Sequence, residues 1–253
     1  MQFLNRLITT IKICTCVATL LPLASLASLT ARADTATKQA KIIIEHNATD
    51  SDTGFQMFVD ADGWEKMQVN GPGGQVAEFQ SRGAMNDLGI TELFLETVEP
   101  ENAKVPLAET LKRMPEGDYE FIGVSSKMGG SKGQVTGKAT LSHRIPGGVT
   151  LLEPREGSVI PLANTRLSWQ HPGKPVNGTG LKLIAYELIV EKDEDPDLHM
   201  IGKRGLSMIL PATTTGIDIS VEFFEPATQY KWEVLAIEAG GNQTLQSGSF
   251  KTQ

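Results

Sequence analysis

Aspartates are the residues most suited to chemistry in the first third of the chain, because oxygen ligands at alternating positions are how a loop binds Ca²⁺. The candidate metal ligands are Asp50, Asp52, Asp60 and Asp62. A twelve-residue calcium loop beginning at the first of them needs glycine at its sixth position and glutamate at its twelfth, where the chain has Phe55 and Ala61. The pattern therefore predicts two Asp- and Gly-rich turns, with an irregular calcium site between loops as the alternative.

A glycine cluster at 129–133 suggests a phosphate-binding loop. That loop requires Ser or Thr directly after its lysine and a helix behind it. The glycine–lysine pair after this cluster is Gly137-Lys138. Lys138 is followed by Ala139, and no helical pattern follows. We expect a hairpin turn here and no cofactor-binding residue.

No catalytic residue is predicted. The four histidines are isolated in the sequence, at His46, His143, His171 and His199. Residues 129–133 match the spacing Gly-x-Ser-x-Gly, but no helical pattern follows them, as a nucleophile elbow requires. The carboxylates show no spacing that singles out a pair. Trp64 could stack on a glycan, but a tryptophan at the start of a strand is more often a core residue. These patterns predict a non-enzymatic protein.

Residues 1–33 have the pattern of a cleaved signal peptide. Arg6 and Lys12 precede an apolar run over 13–29, which ends before Ala31-Arg32-Ala33. The alternative is an uncleaved anchor, but Pro22 interrupts the run, which is short for a membrane span. We expect an exported protein, periplasmic or secreted, with no membrane span after cleavage. Both cysteines leave with the leader, so the mature chain has no disulfide and no cysteine ligand.

The mature chain is acidic. Three of the 23 basic residues and none of the 30 acidic ones lie in 1–33, so cleavage leaves 20 basic residues against 30 acidic and a formal charge of −10. No basic run or basic–aromatic face occurs, which argues against nucleic acid as a partner.

Short alternating apolar runs predict an all-β fold. In residues 34–146, runs at 55–59 and 64–69 are separated by a predicted turn at 60–63. The only helical pattern of the mature chain follows Pro106, with Leu107, Leu111 and Met114 on one face. Glycines and prolines near residue 147 mark a boundary. We therefore expect two tandem immunoglobulin-like β-sandwiches, over 34–146 with one short helix and over 147–253.

Residues 147–253 contain eight strand-like runs, one more than a seven-stranded sandwich needs, so that either 199–203 or 206–210 is expected to be part of a neighbour. The run at 229–238 alternates Tyr230, Trp232, Val234 and Ala236 on one face. It follows the pattern Phe224-x-Pro226-x-Thr228-x-Tyr230.

This pattern resembles the signature of fibronectin type III domains, in which leucine usually takes the place of Phe224. Trp169 and Tyr186 match the core tryptophan and tyrosine of that family. The resemblance covers about 149–252 and implies a sandwich in which the hydroxyl of Tyr230 bonds back to the chain. Residues 34–146 resemble no known family.

The resemblance implies an interaction module. We expect a protein–protein interaction module of the cell envelope, binding another envelope or extracellular protein by strand edges or end loops. Two alternatives stay open: a carbohydrate-binding accessory protein, and a hydrolase with its site in the first domain.

Overall fold

The structure, a computed structural model, describes residues 34–129, 133–196, 198–200 and 202–253. The predicted signal peptide, residues 1–33, lies outside the described residues. Within the described residues, no helix is long and apolar enough to cross a membrane.

The first half contains seven strands and two short helices. They are β1 Thr35–Ala36, β2 Gln39–Asn47, β3 Asp52–Gly71, β4 Gly74–Gln80, α1 Ala84–Leu88, β5 Ile90–Glu96, α2 Leu107–Arg113, β6 Gly117–Ser125 and β7 Gln134–Leu141. Helix α2 is the predicted helix. Helix α1, which has no buried residue and no side-chain cap, was not expected because a five-residue helix leaves no periodic apolar pattern.

Strand β3 corrects the turn predicted at 60–63. The chain continues through these residues as one strand of 20 residues, with register shifts between Asp60 and Trp64 and between Trp64 and Lys66. Ala61 and Trp64 are fully buried, so this segment bends around the core instead of reversing. The first part of β3 pairs with β2 and β5, and its second part pairs with β4 and β6. This single strand therefore pairs with four others.

The second half contains eight strands. They are β8 Thr150–Glu153, β9 Ser158–Ile160, β10 Thr165–Gln170, β11 Leu183–Lys192, β12 Gly205–Pro211, β13 Gly216–Ile219, β14 Gln229–Glu238 and β15 Gln243–Thr252. A three-stranded sheet, β13-β10-β8, packs against the strands β15-β14-β11-β12. Of the two competing runs, 206–210 forms β12, whereas the described residues of 199–203 form no strand. The predicted all-β fold class is confirmed.

Each half has its own cluster of buried apolar residues. The first cluster runs from Ile42 to Ile145 and includes Trp64, whose burial rules out a glycan-stacking role. The second runs from Val149 to Phe250. The predicted boundary at 146/147 falls between the two clusters, although the division into two domains stays a prediction because residues 34–253 form one compact unit.

The two halves share a β-sheet. Strand β2 pairs in parallel with β15 over three residues, Glu45 to Asn47 opposite Gln243 to Leu245. The larger sheet therefore runs in the order β1-β7-β6-β3-β2-β15-β14-β11-β12. Backbone hydrogen bonds as well as side-chain contacts therefore join the two halves.

Candidate functional site

The structure does not bring the four predicted aspartates together. Asp50 and Asp52 lie at the turn between β2 and β3. Asp60 and Asp62 lie further along β3, each with a carboxylate oxygen 3.4 Å from the Nζ of Lys38. Because an extended strand rises about 3.3 Å per residue, Asp52 and Asp60 are separated by roughly 25 Å. Calcium binding by these residues stays a prediction.

Three glutamates converge instead. One carboxylate oxygen from each of Glu45, Glu96 and Glu99 lies within 4.8 Å of the others. Strands β2 and β5 flank β3, so they bring the first two side chains close together, and Glu99 follows the end of β5. Gly54 on β3 leaves room for Glu99, since a Cβ there would lie 2.7 Å from the Cγ of Glu99. Sequence reasoning missed this cluster because its members are spread over three elements with no motif spacing.

Burial and mutual repulsion favour a protonated carboxyl group within the cluster. Burial, and then the negative charges of Glu45, Asp52 and Glu96, raise the pKa of Glu99 to about 7. Its Oε1 is buried without a hydrogen-bond partner. Burial also raises the pKa of Glu45, although hydrogen bonds from Gln243 and Gln56 act in the opposite direction. The group can hold a proton near neutral pH, and its oxygens are the ligand type that a divalent cation prefers.

The cluster lies at the junction of the two halves. The Nε2 of Gln56 donates to Glu45 Oε2 at 3.0 Å and to Glu96 Oε1 at 2.9 Å. From the second half, Gln243 on β15 donates to the same oxygen of Glu45. The carboxylates are therefore oriented by amide donors from both halves.

Asn242 forms the densest set of hydrogen bonds at the junction, and it is 1% exposed. Its Oδ1 accepts from the backbone N–H of Ile44 at 2.8 Å, and its Nδ2 donates to the carbonyl oxygens of Ser142 and Arg144, each at 2.8 Å. Nearby, the hydroxyl of Thr244 donates to the carbonyl of Pro146 at 2.6 Å. One residue of the second half thus bonds two separate segments of the first.

Three of the four histidines form hydrogen bonds at separate places in the fold. His46 bonds to Thr53 at 3.0 Å, His143 to the carbonyl of Met114 at 2.8 Å, and His171 to the hydroxyl of Tyr186 at 2.7 Å. Burial lowers the pKa of His46. Each of these three rings has a hydrogen-bond partner within the same half of the chain, which is typical of a structural histidine.

The expected fibronectin landmarks are present. The hydroxyl of Tyr230 accepts a hydrogen bond from the N–H of Glu225 at 2.8 Å. Trp169 and Tyr186 are buried and pack edge-to-face, with ring centroids 5.5 Å apart. The first half has a counterpart that the sequence analysis missed: the hydroxyl of Tyr119 donates to the carbonyl of Pro115 at 2.8 Å. A tyrosine after a Pro-containing turn is the signal that could have revealed it.

The sheet ends at an exposed edge strand, β12. Its seven residues alternate between exposed and partly buried, and Ile209 is 65% exposed. On one side β12 pairs with β11 from Glu191 back to Ala185. No strand in the described parts of the chain pairs with its other side. Leu198 and Met200, in the loop before β12, are also exposed.

Comparison with known proteins gives structural matches only. No family model matches the chain, and no curated protein matches it. A two-domain fibronectin type III segment of chicken tenascin matches with 12% identity and a TM-score of 0.30, covering 85% of this chain and 99% of that one. The FN1–FN3 domains of chicken CNTN1 match with 10% identity and a TM-score of 0.29, covering 88% and 66%.

A 1.5-MDa bacterial ice-binding adhesin, described in connection with retention at a host cell surface, matches with 12% identity and a TM-score of 0.27, covering 87% of this chain and 65% of that one. Scores this low support no inference about function. The assignment of the fold rests on the strand order, the corner tyrosine and the core aromatics of this chain. On that ground, residues 149–252 have a fibronectin type III-like fold.

Proposed function

We propose that this chain is an exported, non-enzymatic interaction module of the cell envelope, which binds another envelope or extracellular protein through the edge of β12. The signal-peptide pattern of residues 1–33 supports export. The resemblance of residues 149–252 to fibronectin type III domains, which are interaction modules, supports a binding role. The partner would add an extended strand to the sheet, a mode in which backbone hydrogen bonds supply much of the affinity.

The observation that carries the proposal is the sequence of this edge. Natural proteins protect exposed edges with charged residues, internal prolines or bulges. Between Gly205 and Pro211, β12 has no charged residue, and its proline is the last residue. Its register with β11 has no bulge, and Ile209 projects into solvent. An open, regular and apolar edge is what an incoming strand requires.

The test is capture from the native envelope fraction by the mature chain, residues 34–253. The Ile209→Lys variant should reduce capture of a discrete protein partner at least tenfold, because a charged side chain on the edge opposes strand addition. Val159→Lys is the matched control, since Val159 is 61% exposed on a different strand and should keep full capture. Full capture by Ile209→Lys, or retention on glycans with no protein partner, would refute the proposal.

A specific observation favours a second candidate, a hydrolase with its site in the first half. A carboxyl group with a pKa near 7 is suited to general acid catalysis, and Glu99 is such a group. Screening the mature chain with glycoside and ester substrates between about pH 5 and pH 8 tests it. Activity that Glu99→Gln abolishes would establish this function in place of the first.

A further inference from the structure

A cavity opens at one end of the second sandwich, among the loops that follow β10 and β12. Its volume is about 570 Å³, within the usual size range of small-molecule sites. The loop after β10 and the residues after β12 form its rim, and Leu183 and Glu238 lie at the strand ends beneath. The walls are largely apolar and include Pro172, Pro175, Leu181, Leu183 and Ala212.

Glu238 is an unusual residue in this position. It is the last residue of β14 and lies on the same face as Trp232 and Ala236, which belong to the core. The side chain is 1% exposed, and its Oε1 has no hydrogen-bond partner. No lysine, arginine or histidine of the described chain forms an ion pair with it. A buried carboxylate without a partner is costly, so its presence at a cavity wall points to a ligand that supplies the missing donor.

The surroundings define the ligand chemistry. An acceptor at the end of an apolar cavity suits a compact cation carried on an apolar chain. A primary ammonium on an aliphatic stem has that form: the stem packs against the prolines and leucines, while the ammonium donates to Glu238.

We propose that this cavity binds a primary alkylammonium group, as carried by a lysine side chain, with Glu238 as its anionic partner. Ala212 and Thr213, which line the cavity, follow directly after β12. A segment lying along β12 can therefore place a lysine at the cavity. The inference rests on the proposed function in so far as a partner protein supplies that lysine; a free amine is the other source of the same group.

The experiment is calorimetric titration of the mature chain with Nα-acetyl-lysine methylamide. Saturable binding is expected. The norleucine analogue, which has the stem without the ammonium, should bind at least tenfold more weakly. Cadaverine serves as the free-amine probe: tighter binding of the blocked lysine assigns the group to a protein, and tighter binding of cadaverine assigns it to a small amine. Either result supports the proposal that the cavity binds a primary alkylammonium group.

Variants separate binding from folding. Glu238→Gln should lose lysine binding at least tenfold while its Tm stays the same or rises, because the substitution removes an unpaired buried charge. Glu233→Gln, on the opposite face of the same strand, should bind normally. Ala212→Phe fills the cavity at a partly exposed position and should also abolish binding, which keeps the test valid if Glu238→Gln does not fold.

Several results would overturn the inference. They are no saturable binding of the blocked lysine, equal binding of the norleucine analogue, or a Glu238→Gln variant that binds the blocked lysine normally. The titration needs no partner protein. Its failure is therefore distinguishable from failure of the β12 edge, which Ile209→Lys reports independently.

Discussion

At the scale of single residues, the environment of Glu99 at the junction favours the protonated form of its carboxyl group. Glu99 lies over Gly54 and beside three other carboxylates, with no cation of the described chain paired to it. Its pKa in the folded protein, about 7, lies above the ordinary value of 4.5. The folded state therefore binds this proton more tightly than the unfolded chain does, and stability falls as the pH rises through 7.

We expect Glu99→Gln to stabilise the protein at about pH 8 and to have little effect at about pH 5. The full pKa shift would correspond to a little over 3 kcal/mol. Because the carboxyl is partly exposed to solvent, we expect about 1–2 kcal/mol. Urea unfolding at the two pH values measures the difference. Glu92→Gln, at an exposed position on β5, is the control, and equal stabilisation by both variants would contradict the explanation.

Substitutions of Tyr230 and Tyr119 test the tyrosine corners of the two halves. Tyr230→Phe removes the acceptor for the N–H of Glu225, and Tyr119→Phe removes the donor to Pro115. Each should cost about 1 kcal/mol of unfolding free energy. Partner capture should be unchanged in both. A normally folded Tyr230→Phe protein that loses its partner would show that this residue has a role beyond the fold.

The role of Tyr230 could be predicted from the sequence, because Pro226-x-Thr228-x-Tyr230 resembles the motif of a known tyrosine corner. The sequence did not allow the role of Glu99 or Glu238 to be predicted. A glutamate's burial depends on which strands pack around it, and neither residue has a local pattern that reports this.

At the scale of elements, the strands of the second half were largely predictable. Strand β14 matches its predicted bounds, since alternation over ten residues is a strong signal. The turn predicted at 60–63 is wrong. Asp and Gly residues are typical of turns, but here they occupy a bend of the continuous strand β3. The pairing of β2 with β15 was not predictable at all. It joins residues about 200 positions apart, and strand patterns do not name their partners.

Asn242→Ala tests the junction between these elements. It leaves the Ile44 N–H and the Ser142 and Arg144 carbonyls without partners in a buried place. Since each unsatisfied buried group costs about 1–3 kcal/mol and relaxation recovers part of it, we expect a loss of about 2–4 kcal/mol. Denaturant unfolding measures it.

Asn177→Ala removes one comparable bond, to the carbonyl of His143, from a less buried site. It should cost about 1 kcal/mol. The bond of Asn177 crosses the same junction, so equal losses for the two asparagines would indicate that the additional bonds of Asn242 add no stability.

At the scale of the whole molecule, two apolar cores are connected by one sheet. Neither core can unfold without exposing the β2–β15 pairing and the bonds of Asn242. The two halves are therefore coupled more strongly than two domains on a flexible linker would be.

We expect the mature chain to unfold in a single calorimetric transition, with equal calorimetric and van't Hoff enthalpies. Tyr119→Phe and Tyr230→Phe perturb separate cores, yet each should lower the same Tm by about 2–4 °C. Two transitions, each moved by only one of the variants, would show that the halves unfold independently.

The parallel pairing of β2 and β15 also determines how the molecule would respond to a pulling force. The two strands overlap only at the end of β2 and the start of β15, and they run in the same direction. A load applied between Gln39 and Thr252 would therefore act along the strands, in shear. The inter-strand hydrogen bonds would then share the load instead of opening one after another. If a partner held one end while the other stayed fixed to an envelope, this short three-residue contact would be the first element to resist the tension.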